Sequence, residues 1–179
     1  MNEPLSIRQQ VESVMAPLVG VPLWGAGRAA DLLWLALGQR QTIQDFRGEP
    51  REVGEYALHL QCAWRFVQGE KVVVGNRDLY YPRGYTDPKE DIPREFKWDV
   101  QGANRCDEVL AELFAGGAKQ FVVQRVEAGH AGELALLLEG GLALQIFPND
   151  SLVGEHWRLF RPGSDAQHSV FTGQGLERH

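Results

Sequence analysis

Glu55-Tyr56-Ala57-Leu58-His59-Leu60-Gln61-Cys62-Ala63-Trp64-Arg65-Phe66-Val67 alternates along its whole length. Tyr56, Leu58, Leu60, Cys62, Trp64 and Phe66 fall on one parity; Glu55, His59, Gln61 and Arg65 fall on the other. Successive side chains of a strand point to opposite faces, so apolar residues at period two predict one strand with a single buried face. Gln68-Gly69-Glu70 breaks the run, and Val72, Val73 and Val74 return it as a hairpin.

The flanking sequence supplies what that face packs against. Ser6 with Gln9 stands in capping-box register, and Ile7, Val11, Val14, Met15 and Leu18 follow at helical spacing until Pro17 and Pro22 limit the helix. Asn104 caps a second helix with Asp107 and Glu108 in its first turn, an apolar stripe of Val109, Leu110, Leu113 and Phe114, and Gly116-Gly117 at its end. Residues 28–37 read either as a helix or as a strand buried on both faces, and the strand is preferred beside so much β pattern. Strands are expected at 121–127, 133–138, 142–147 and 156–160, with Val170-Phe171 as a last edge before a polar tail. The Glu139-Gly140-Gly141 loop sets Leu138 opposite Leu142. The Pro-rich stretch from Pro82 to Gly102 reads as a loop.

These elements make one α+β domain over 1–179: an antiparallel, meander-rich sheet of about seven to nine strands with two short helices packed on it. Trp64-Arg65-Phe66 and Trp157-Arg158-Leu159 echo each other, which raises a division into related halves, 1–100 and 101–179. Trp34 and Trp64 are expected in the core, Trp24 near a Gly-rich turn and Trp98 in the loop. The length of 179 residues is enough for one domain to bury its own core.

Composition narrows the function. Lys plus Arg is 18 and Asp plus Glu is 24, a net charge of −6, which draws neither nucleic acid nor an anionic membrane. Cys62 and Cys106, the two cysteines, read as free thiols in a reducing, cytoplasmic compartment. Met1 to Gln10 show no leader pattern, and no apolar run is long enough to cross a bilayer. His59 and Cys62 have opposite parity and cannot share a metal ion from one strand. No metal, nucleotide or nucleophile motif is present, so no cofactor and no catalytic residue is assigned.

Two surfaces remain as binding candidates. His59, Gln61 and Arg65 line the polar face of the long strand, and Asp78 joins them or turns to the core depending on the hairpin register at 68–70. A solvated face is the plain alternative. Tyr80, Tyr81, Arg83 and Tyr85 combine aromatics with an arginine, the composition of a protein-contact hot spot, or else seal the core edge with wet hydroxyls.

Gly54 to Arg65 with Gly75-Asn76-Arg77-Asp78, and Leu144-Gln145-Ile146-Phe147-Pro148 with Glu155-His156-Trp157-Arg158, resemble small bacterial proteins of a family of unknown function. In general style the chain is similar to immunity or antitoxin-like proteins. That resemblance implies another protein as partner and assigns no catalytic residue. A regular sheet without a catalytic motif makes a non-enzymatic interaction protein the first expectation, with self-association left open. A small-ligand module, or an enzyme using the His59, Arg65 and Asp78 face, is the alternative.

Overall fold

The computed structural model describes residues 4–179; Met1–Glu3, which open the stretch read for a leader, lie outside it. Among the described residues there are two α-helices and eleven strands, and the strands form one antiparallel sheet in the order β11-β10-β9-β3-β2-β1-β6-β7-β8-β4-β5. The α+β class holds, but eleven strands replace the expected seven to nine.

Helix α1 (Ile7–Met15) begins as its sequence demands, with the Ser6 and Gln9 side chains each bonded to the other's backbone. It buries Val11 and Met15 and packs against β6 and β11. Strands β1 (Pro22–Ala29), β2 (Leu32–Gln44) and β3 (Pro50–Leu60) form a meander. The strand reading is therefore correct for Leu32–Leu37, but 28–37 is not one element: Arg28 and Ala29 end β1 and a turn at Ala30-Asp31 leads into β2. Trp24 and Gly25 to Gly27, expected near a turn, lie inside β1, because a glycine strand is silent to apolar periodicity.

The long alternating stretch is two strands. β3 ends at Leu60, the chain bends at Gln61 and Cys62, and β4 (Ala63–Gln68) continues elsewhere in the sheet. Parity survives the bend, so Leu58, Leu60, Cys62, Trp64 and Phe66 all enter the core. β4 pairs with β5 (Lys71–Gly75) across a two-residue turn, Gly69-Glu70, and Val73 is bulged. Asp78 then sits in a 3₁₀ helix, Asn76–Tyr80, where strand parity no longer applies.

Helix α2 (Arg105–Leu113) starts at the Asn104 cap, whose side chain accepts from the Asp107 amide, and buries Cys106 and Leu110. β6 (Phe121–Ala128), β7 (Leu134–Leu138) and β8 (Leu142–Phe147) form a second meander with Leu136 opposite Leu144. β9 (Glu155–Phe160), β10 (Ser169–Thr172) and β11 (Gly175–Arg178) follow. The supposed polar tail is thus the edge strand, in place of Val170-Phe171.

Both halves share one connectivity: a helix, a three-stranded meander, then strands that leave it. β4 pairs with β8 of the second meander, and β9 pairs with β3 of the first. The meanders join through Pro22 paired with Val122 and Leu23 with Phe121, continued by bonds between Gly20, Val21 and Val123. Trp64 and Trp157, the echoed tryptophans, are buried in the two exchanged strands. Among the described residues no helix is long and apolar enough to cross a membrane.

Candidate functional site

The outer face of β1, β2, β3 and β9 carries two rows of side chains. Gly27, Trp34, His59 and Arg158 are cross-strand neighbours in one; Gly25, Ala36, Ala57 and Phe160 are neighbours in the next. Beyond Gly27 the first row is large, and the second, up to Phe160, is small. A Cβ at Gly27 would lie 2.4 Å from Cζ2 of Trp34, so the indole rests on β1 where only glycine admits it. Trp34 was expected in the core. Leu33, Leu35 and Leu37 take the inward parity of β2, which turns Trp34 outward and leaves it half-buried.

Ala36 and Ala57 of the small row, with Gly54, floor a cavity of about 380 Å³. Trp24, Trp34, Ile43, His59, Phe160 and Pro162 wall it, and Arg51 stands at its margin. Trp24 is fixed by an Nε1 bond of 2.9 Å to the Gly38 carbonyl, with the Arg40 guanidinium 4.1 Å from its ring centroid. A second cavity, also about 380 Å³, lies between Trp24, Trp34 and α2, lined by Leu110 and Phe114. The two indoles serve both.

His59 meets Phe160 edge to face, with ring centroids 4.8 Å apart. Phe160 in turn stacks on His168, whose Nδ1 lies 3.0 Å from a guanidinium nitrogen of Arg158. Burial pushes the His59 imidazole below its ordinary pKa; Glu155 opposes this, and Arg158, Arg51 and His168 add to it. The ring is therefore neutral at pH 7, able to donate from one nitrogen and accept at the other.

The other expected residues are elsewhere. Gln61 is exposed at the bend, its amide bonded to the His156 carbonyl. Arg65 donates from Nε to Gln145 at 2.7 Å and lies over Phe147. Asp78 accepts from the Gly75 amide at 2.8 Å and pairs with Arg105 at 3.3 Å. Arg65 and Asp78 line one groove and His59 lines another, so the three do not converge. The break at Gln61 separates them.

The tyrosine cluster is largely engaged within the chain. Tyr81 and Tyr85 stack at 5.2 Å, and the Tyr85 hydroxyl donates to the Glu90 carbonyl. Arg83 lies 3.6 Å from Glu108, and Tyr80 meets Trp98 edge to face while remaining exposed. These contacts close the base of the 82–104 loop, where Arg83 and Arg105 amides bond to the Ala103 and Tyr81 carbonyls.

Arg51, Trp34 and Phe160 were missed. Alternation within 33–37 carried the signal for Trp34, whereas Phe160 depends on the pairing of β9 with β3, which no local pattern reveals. Buried His156 has no hydrogen-bond partner on either ring nitrogen, although an Asp150 oxygen lies 3.5 Å from Nε2. No group of three or more metal-ligating side chains exists among the described residues. Comparison with family models, with curated proteins and with solved structures finds no match to this chain.

Proposed function

We propose that this chain is a small-ligand-binding module whose ligand occupies the cleft over β1, β2, β3 and β9. One observation carries the reading: three aromatic rings and a neutral imidazole surround a floor of glycine and alanine. A sheet face meant only for water has no reason to hold two indoles and a phenyl ring around an open cavity. Apolar clefts with a few convergent polar groups are the usual form of small-molecule sites. Each ring face covered by a ligand recovers apolar area from water, at about 25 cal/mol per Å².

Gripping a protein partner through Tyr80, Tyr81, Arg83 and Tyr85 has less support, because all four side chains already have partners within the chain. The resemblance to immunity and antitoxin-like proteins is what favours it. The free thiols Cys62 and Cys106 fit a cytoplasmic home for either reading.

The test is a fragment screen read by tryptophan fluorescence, since Trp24 and Trp34 both line the cleft. Flat apolar fragments are expected to change the emission of the wild type. Ala57→Phe, which fills the floor, and Trp34→Ala, which removes a wall, should each abolish the change while urea unfolding stays cooperative. A screen without hits, or hits that survive both substitutions, would overturn the reading.

A further inference from the structure

We infer that the ligand of this cleft is a small planar apolar molecule bearing one carboxylate, held by Arg51. The inference rests on the cleft being a ligand site and adds the class of ligand. A cavity of about 380 Å³ lies near the lower end of ligand sites, which run to roughly 300–1,000 Å³, and so takes a body of one or two rings. Trp24, Trp34, Phe160 and His59 line it, and aromatic walls favour a flat aromatic body over a branched aliphatic one.

Charge selects the head group. Arg40 pairs with Glu52 at 2.9 Å, Arg161 with Glu55 at 2.6 Å and Arg158 with Glu155 at 2.5 Å, so each of these arginines beside the cleft has its carboxylate. The Arg51 side chain has no hydrogen bond and no ion pair among the described residues, its backbone alone being paired, with Ile43. It shares the outward parity of β3 with Val53, Ala57 and His59, and all four line the cleft. An uncompensated guanidinium therefore stands at the rim of an apolar hole in a chain of net charge −6.

A guanidinium fork matches a carboxylate through two parallel N–H bonds. One fork balances one negative charge. A phosphate dianion would leave a surplus beside Glu52, and an ammonium head would meet Arg51 as a like charge. The neutral His59 lies along the same strand, deeper in the cleft, where it can bond a polar ring substituent without adding charge.

The experiment titrates the full chain with naphthalene-2-carboxylate, naphthalene-2-carboxamide, 2-naphthylmethylammonium and 2-naphthyl phosphate, read by tryptophan fluorescence and checked by calorimetry. The carboxylate should bind about tenfold or more tighter than the amide, the difference one charge-assisted pair supplies. The ammonium should bind weakest. Arg51→Gln should bring the carboxylate down to the amide and leave the amide unchanged. Raising salt from about 50 to about 500 mM should weaken the carboxylate and spare the amide.

Equal binding of acid and amide, or tighter binding of the phosphate, would overturn the carboxylate class while leaving the cleft a ligand site. Failure of all four naphthalenes would overturn the class as well. The fragment screen on Ala57→Phe and Trp34→Ala decides separately whether the cleft binds anything.

Discussion

Asp107, in the first turn of α2, takes both forks of the Arg28 guanidinium from the end of β1, Nε to Oδ1 at 2.7 Å and Nη2 to Oδ2 at 2.8 Å. The pair is buried, the two side chains exposing 2% and 9% of their surface. The remaining Arg28 donors reach the Ala30 and Val100 carbonyls, and Asp107 Oδ2 also receives the Gly102 amide at 2.7 Å. Desolvating two charges is offset only when their other hydrogen-bonding sites are filled, as here. The network fixes the 99–104 segment against the start of the helix.

Removing one partner strands the other charge. Arg28→Met should destabilise the protein by about 3–5 kcal/mol in urea unfolding, and Arg28→Met with Asp107→Leu should recover part of that loss. A single substitution costing under about 1 kcal/mol would show the pair to be hydrated rather than buried.

Trp64 is 3% exposed, and its indole N–H has no acceptor. Trp64→Ala should cost about 3–5 kcal/mol through the cavity it leaves. Trp64→Phe keeps an aromatic body and removes an unpaired donor, so its loss should be much the smaller. If denaturation midpoints place the two variants together, the ring does not fill the core as described.

The pH dependence of stability carries the mark of His59. Its folded pKa is lowered chiefly by burial, while the unfolded chain titrates near 6.5. Above about pH 6.5 both states are neutral and its contribution is fully present. As pH falls below 6.5 the unfolded state takes up the proton first, and stability drops until the folded value is passed. His59→Gln should therefore lose less stability than wild type between about pH 7 and pH 5, both compared by urea midpoints so that the shared carboxylate titrations cancel. A steeper loss in the variant would reverse the sign and refute the buried neutral ring.

Burial pushes both thiols up to about 12, with Asp107 and Asp78 adding to the effect at Cys106 and Asp150 at Cys62. At pH 8 only about one molecule in ten thousand carries the thiolate at either position. Ellman's reagent should leave the native protein unlabelled at that pH and should titrate two thiols in denaturant. Rapid labelling without denaturant would mean that the bend at Cys62 or the inner face of α2 opens readily.

Legibility followed the range of the interactions involved. Caps and stripes are local, so Ser6 with Gln9, Asn104 with Asp107, and the Leu138–Leu142 turn were readable in the chain and stand in the structure. Alternation through 55–67 foretold which side chains enter the core, yet it could not reveal that the strand divides at Gln61, since a bend that conserves parity leaves no trace in an apolar pattern. That division removed Arg65 and Asp78 from His59. β1 escaped notice because its glycines carry no apolar periodicity, Gly27 holding space for Trp34 instead, and the cleft needs β9 beside β3, a partnership between residues 57–60 and 157–160.

That partnership bears on how the chain is made. When the first half leaves the ribosome, β3 has β2 on one side and nothing on the other, and Ala57 waits until Phe160 has been synthesised. β4 waits likewise for β8, with Trp64 and Phe66 lacking their eventual neighbours Ile146 and Leu144. A bare strand edge is where one chain recruits another. Slow translation of the second half would lengthen that wait and, with it, the exposure of unpaired edges to neighbouring nascent chains.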